Sequence, residues 1–152
     1  MAAVVIDANL AIGLVRQMPF SDAFRRLLAQ WIVDGVEVAA PGLWDYEVAT
    51  AMRKLWQQQA LSREQAFAGL EQIMALPIVR YPAERKLLLS ALRWAERLGQ
   101  SKAYDAQYVA LAESLNADLW SADQRLVNAL QALGATWAHW IGDLGVSSGS
   151  PG

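Results

Sequence analysis

Apolar residues fall along this chain in two kinds of block, short β-branched runs and longer stretches with helical spacing, and the two alternate. Ala2-Ala3-Val4-Val5-Ile6 is apolar without a period, the pattern of a strand buried on both faces of a parallel sheet. Phe20 to Val33 places Phe24, Leu27, Leu28, Trp31 and Ile32 on one helical face, and Gly35 ends it. Val36-Glu37-Val38-Ala39-Ala40 alternates as a strand, and Pro41-Gly42 marks the turn into a helix from about Leu43 to Gln58. Ser62-Arg63-Glu64-Gln65 has the form of a capping box, so a helix starts there with Ala66, Phe67, Leu70, Ile73 and Met74 as its stripe. Together with Val48, Met52, Leu55 and Trp56 of the preceding helix, this reads as a helical hairpin with one side left for a partner.

The second half repeats the alternation. Ile78-Val79-Arg80-Tyr81 between two prolines is a short strand, and Glu84 to Leu98 is a helix stopped by Gly99. Ala103 to Leu115 is a further helix, Ala117 to Ser121 a strand, Asp123 to Leu133 a helix, and Thr136 to Trp140 a final strand. The sequence carries no internal repeat, and residues 146–152, rich in Ser, Gly and Pro, are expected to form a disordered tail after one domain over 1–145.

Composition narrows the class. A chain of 152 residues with 55% hydrophobic and 18% charged residues is a single globular domain with a dense core, which excludes a disordered protein. No apolar stretch approaches a membrane span and the start of the chain lacks a signal-peptide pattern, so a cytoplasmic protein is expected. The absence of cysteine removes disulfides, thiolate ligands and a cysteine nucleophile, and one histidine makes a structural zinc site a poor fit. That histidine, His139, reads as a strand or surface residue and not as a ligand.

Four carboxylates stand out by position. Asp7 directly follows the first strand, and Asp123 follows the strand ending at Ser121; both sit at carboxyl ends of strands, the edge where open α/β sheets bind ligands. Glu47 and Asp105 fall near the starts of helices. Taken singly, each has an ordinary reading: Asp7 and Asp123 as turn or N-cap residues, Glu47 and Asp105 as solvated acids favoured by the helix dipole. Together they lie where a parallel sheet would gather them, and clustered like charges call for a cation or a shared proton. Oxygen ligands without histidine or cysteine favour magnesium or manganese over zinc. The formal charge of −2 changes meaning in that light, since neutralising four acids would turn it to +2. Arg53, Lys54, Lys102 and Arg125 lie close in sequence to three of the acids and are candidate phosphate contacts, although solvated surface charge is the commoner reading of such residues. Of the seven tryptophans, Trp31, Trp56 and Trp94 fall on apolar helical faces, while Trp44, beside Glu47, is a candidate for stacking on nucleic-acid bases.

The segments Val5-Ile6-Asp7-Ala8-Asn9, Leu43-Trp44-Asp45-Tyr46-Glu47-Val48, Tyr104-Asp105-Ala106-Gln107-Tyr108-Val109-Ala110-Leu111-Ala112 and Leu119-Trp120-Ser121-Ala122-Asp123-Gln124-Arg125-Leu126 resemble, in order and spacing, the PIN-domain ribonucleases and within them the VapC-type toxins of prokaryotic toxin-antitoxin pairs. The resemblance covers nearly the whole chain. It implies a three-layer α/β/α fold with a central, mostly parallel sheet of four to five strands and a protruding helical hairpin. It implies a magnesium-dependent endoribonuclease, with manganese as substitute, in which Asp7, Glu47, Asp105 and Asp123 hold the metal and carry catalysis while Asn9 and Ser121 orient them. It also implies a homodimer and a small antitoxin as partner. Serine at 121 replaces the commoner threonine and keeps the hydroxyl, and Gln124 stands where some relatives have another acid, which leaves the hold on a second metal open. Two other readings remain: a nuclease of the same fold that processes or degrades RNA without an antitoxin, and a non-catalytic RNA-binding module. A haloacid-dehalogenase-type phosphatase also begins with a strand and an aspartate, but it needs an aspartate where this chain has Asn9.

Overall fold

The computed structural model describes residues 2–100 and 103–144, so the tail expected at 146–152 lies outside the described residues. The chain runs β1 (Ala3–Ile6), α1 (Ala8–Ile12), α2 (Ser21–Val33), β2 (Glu37–Pro41), α3 (Leu43–Gln57), α4 (Arg63–Met74), β3 (Ile78–Tyr81), α5 (Arg85–Leu98), α6 (Tyr104–Leu115), β4 (Asp118–Ser121), α7 (Gln124–Ala132), β5 (Ala138–Trp140) and a 3₁₀ turn (Ile141–Leu144). The strands form one sheet in the order β3-β2-β1-β4-β5, and every pairing is parallel. Parallel strands need crossover helices, and right-handed crossovers place the helices after β1 and β2 on one face and those after β3 and β4 on the other. The result is a three-layer α/β/α domain.

This order reverses direction at β1. The chain steps outward from β1 to β2 to β3, then returns across to β4, so the carboxyl ends of β1 and β4 flank the crevice where such sheets bind ligands. Val5 of β1 pairs with Leu119 of β4, and Ile6 with Trp120, so Asp7 and Ser121 emerge side by side at the same edge. The continuous apolar runs explain the burial. Val4, Val5 and Ile6 and all of Val38 to Ala40 are buried, and α6, which packs against β1, β2, β4 and α5, is buried at Ala106, Val109, Ala110 and Ala112.

Two local features differ from the sequence expectation. The residues after Asp7 form a one-turn helix, α1, that the apolar spacing did not announce; Asp7 takes the N-cap place that was one of its ordinary readings, its side chain accepting the Leu10 amide. Five residues are too few to show a helical period. Pro41 closes β2 instead of opening the turn, which its ring permits because the pairing of β2 with β1 has already ended at Ala39. The expected capping box is present, with the Gln65 amide 3.0 Å from Ser62 Oγ and the Ser62 amide 2.8 Å from Gln65 Oε1. Helices α3 and α4 pack against each other, joined by Trp56 against Phe67 with ring centroids 6.0 Å apart. Among the described residues no helix is long and apolar enough to cross a membrane.

Candidate active site

Strand ends and helix starts deliver the four acids to one edge of the sheet. Asp7 leaves β1 with 8% of its surface exposed. Its carboxylate accepts the Leu10 amide at 3.2 Å and the Ser121 hydroxyl, which belongs to β4, the neighbouring strand. The same Ser121 oxygen accepts the Asp123 amide at 2.9 Å, and the Asp123 carboxylate in turn accepts the Leu126 amide at 3.2 Å, capping α7. One hydroxyl thus fixes both the side chain of the first acid and the backbone of the last.

Glu47 and Asp105 approach from helices on either side. Glu47, in the second turn of α3, receives the phenol of Tyr108 at 2.5 Å, and Asp105, in the first turn of α6, lies 3.4 Å from the Gln100 amide. Asp7, Asn9, Glu47, Asp105 and Tyr108 share the wall of an open groove of about 610 Å³, together with Tyr46, Thr50, Lys54 and Tyr104.

The electrostatics join the four groups. Burial pushes the Asp7 carboxyl up to about 7; the Ser121 and Leu10 hydrogen bonds oppose this, and the charges of Asp105 and Asp123 add to it. Glu47 is raised by lost hydration, against the Tyr108 hydrogen bond, and further by Asp105. Asp105 reaches solvent, yet surrounding protein strips enough hydration to raise it, and Asp123 raises it again while the Gln100 contact opposes. Burial, followed by the bond to Glu47, holds the Tyr108 phenol far above the ordinary tyrosine range, so it stays a donor. Asp7, Glu47 and Asp105 are each raised by the charge of at least one other acid of the set, which is the condition under which a cation stabilises a site.

The donor set suits a hard divalent cation: carboxylates backed by hydroxyl and amide groups, with no cysteine in the chain and His139 engaged on β5, stacked 4.9 Å from Trp120 and 3.5 Å from Asp118. Among the described residues no three acids already enclose a single point; Asp7, Glu47 and Asp105 line one groove, while Asp123 stands outside its wall and is linked to Asp7 and Asp105 through its charge.

The remaining sequence candidates divide. Ser121 orients Asp7, as described; Asn9 lines the groove but makes no hydrogen bond to an acid among the described residues. Lys54 lines the groove on the face of α3 that carries Glu47. Arg53 is turned to another side of α3, its guanidinium 4.4 Å from the Trp56 ring, and Arg125 is exposed on α7 outside the groove wall. Lys102 lies outside the described residues. Trp44 is corrected: it is fully buried, sharing the core side of α3 with Val48 and Met52 four and eight residues on, and Arg80 covers its ring at 5.6 Å, so it has no face to offer a base. The exposed aromatics at the groove are Tyr46 and Tyr104, at 75% and 56% exposure, each one residue before an acid. Sequence reasoning also missed Tyr108; its signal was the three-residue spacing from Asp105, which puts both on one side of α6.

Comparison with known proteins bears on the family and the fold. The PIN domain family matches residues 4–129. Ribonuclease VapC9 of Mycobacterium tuberculosis is 34% identical over 129 residues, which cover 85% of this chain and 92% of that protein. Among solved structures, PAE2754 from Pyrobaculum aerophilum superposes with a TM-score of 0.69 at 20% identity over 99% of this chain and 91% of its own. VapBC2 from Rickettsia felis, bound to a DNA fragment from its promoter, does so at 0.67 and 13% identity over 91% of this chain and 98% of its own. With its acids at the β1/β4 crevice and the family match running from β1 into α7, the chain belongs to the PIN domain family.

Proposed function

We propose that this protein is a magnesium-dependent endoribonuclease, the toxin of a VapBC-type pair, working in the cytoplasm as a homodimer that a small antitoxin silences. The observation that carries the reading is the chain of neighbouring carboxylates at one edge of the sheet, Asp105 acting on both Asp7 and Glu47 and Asp123 on Asp7 and Asp105, with Asp7 locked in place by Ser121. The ribonuclease name of the VapC9 relative, at 34% identity over most of both chains, supports RNA as the substrate. The VapBC2 neighbour supports an antitoxin partner.

Asp7, Glu47, Asp105 and Asp123 would hold the cation, magnesium or in its place manganese, which when bound supplies Lewis acidity toward phosphate oxygens and makes water a stronger nucleophile. The protein's own groups do the rest. Leu10 and Ser121 hold Asp7, Tyr108 holds Glu47, and Asn9 contributes a polar edge to the groove. Lys54 meets a phosphate of the bound strand, while Tyr46 and Tyr104 offer ring faces to unpaired bases. Water adds to phosphorus, the bond from phosphorus to the 3′-oxygen breaks, and that oxygen takes up a proton, leaving a 3′-hydroxyl and a 5′-phosphate.

The test is cleavage of a mixed RNA pool by purified protein with magnesium, with chelator, and by Asp7→Asn and Asp123→Asn variants prepared in parallel. Cleavage by the wild type with metal alone supports the reading. Equal cleavage by the variants assigns the activity to a contaminant or to other residues. Addition of the product of a neighbouring small gene then separates a toxin, which it silences, from an RNA-processing nuclease, which it leaves active.

A further inference from the structure

Three of the four acids are held by groups close in sequence or on an adjacent strand, but Glu47 is held across the fold. Asp7 is bonded by the Leu10 amide and by Ser121 of the neighbouring strand, Asp105 by Gln100, and Asp123 caps its own helix. The Tyr108 hydroxyl, 61 residues along the chain, is the hydrogen-bond donor to Glu47 among the described residues, at 2.5 Å. Tyr108 is 2% exposed, and its place three residues after Asp105 puts its phenol on the groove side of α6. Glutamate has one more rotatable bond than aspartate, so this acid has the most freedom to lose when a ligand binds. Tyr108 has two side-chain torsions and is packed by the core, so its hydroxyl is a fixed point.

We propose that Tyr108 is a positioning residue for cation binding: its hydroxyl fixes the Glu47 carboxylate in the groove before a cation arrives and ties the acid of α3 to the helix that carries Asp105. Tyr108 itself touches neither cation nor RNA; it acts through Glu47. The inference rests on the divalent-cation part of the proposed function and extends it to a residue outside the four-acid set. A buried phenol also needs a partner for its own sake, so the deciding question is whether loss of the hydroxyl is felt at the cation.

The test is a double-mutant cycle on the full chain, with Mn2+ as probe and its free concentration read by electron paramagnetic resonance. Wild type, Tyr108→Phe, Glu47→Gln and the double variant are compared. Tyr108→Phe keeps the ring and its packing, so the melting temperature is expected to stay within a few degrees of wild type. Its Mn2+ dissociation constant is expected to rise by about 10- to 100-fold, the loss typical of removing a partner that orients a ligand. In the Glu47→Gln background the same change is expected to add nothing further. Unchanged Mn2+ affinity in Tyr108→Phe overturns the inference, as does an equal loss in both backgrounds or a wild type that binds no Mn2+. RNA cleavage by the same samples separates the two claims: wild type that binds Mn2+ and cuts no RNA overturns the nuclease while the role of Tyr108 stands.

Discussion

Asp7 is an acid that the fold makes costly to ionise and that the proposed cation site needs ionised. Its carboxyl stands at about 7 in the folded chain against an ordinary 3.8, chiefly through burial. Between those values the native state binds the proton more tightly than the unfolded state, so the metal-free protein loses stability as pH rises through that window. Asp7→Asn does not titrate. Its melting temperature in chelator is therefore expected to overtake that of wild type between pH 4 and 7, with the gap level above that, and to do so while cleavage is lost. Thermal melts of both proteins from pH 4 to 8 check this, and parallel curves would contradict it. Saturating magnesium should narrow the gap at high pH, because it stabilises the ionised form of wild type alone. The pair Trp44 and Tyr46 makes a second residue-scale contrast. Trp44→Ala empties a fully buried site and is expected to cost about 3–5 kcal/mol of stability. Tyr46→Ala is expected to leave melting unchanged and to weaken binding of single-stranded RNA, checked by fluorescence anisotropy. Sequence marked Trp44 as the exposed aromatic beside Glu47, whereas Tyr46 is the exposed one, because which of two residues in one helical turn faces the sheet depends on where the sheet lies.

At the scale of elements, the strands and long helices were legible because their apolar spacing is their reason for forming. The parallel runs at β1 and β2, the stripe of α2 and the Ser62–Gln65 box of α4 each carry a local signal that packing reinforces. The box gives a direct measure of that local contribution. Ser62→Ala removes the acceptor of the Gln65 amide and is expected to destabilise the protein by about 1 kcal/mol, read from denaturant unfolding, with Mn2+ affinity unchanged because α4 contributes no residue to the acid groove. α1 was not legible. It is a single turn made by one cap, and its formation depends on Asp7 being held at the strand end by Ser121, 114 residues away in the chain.

At the scale of the whole molecule, charge and topology act together. The chain is slightly acidic overall and its groove concentrates carboxylates, so without a divalent cation the site repels a phosphate backbone. In chelator, Asp123→Asn is therefore expected to bind an uncleaved RNA strand more tightly than wild type does, whereas with magnesium the order is expected to reverse. Titration by anisotropy under both conditions checks the sign. The sequence by itself determined the alternation of strands and helices, the presence of the four acids, the absence of any cysteine and the family, since each is written in local spacing or in residue type. The tertiary structure alone decided what those acids touch: that Ser121 spans Asp7 and Asp123, that Tyr108 reaches Glu47, that Arg53 turns to Trp56 while Lys54 faces the groove, and that Trp44 is core. The physical reason is separation along the chain. Periodicity and capping bind residues within a few positions of one another, but the site is assembled from β1, α3, α6 and β4, and only the strand order that reverses at β1 brings those ends to one crevice.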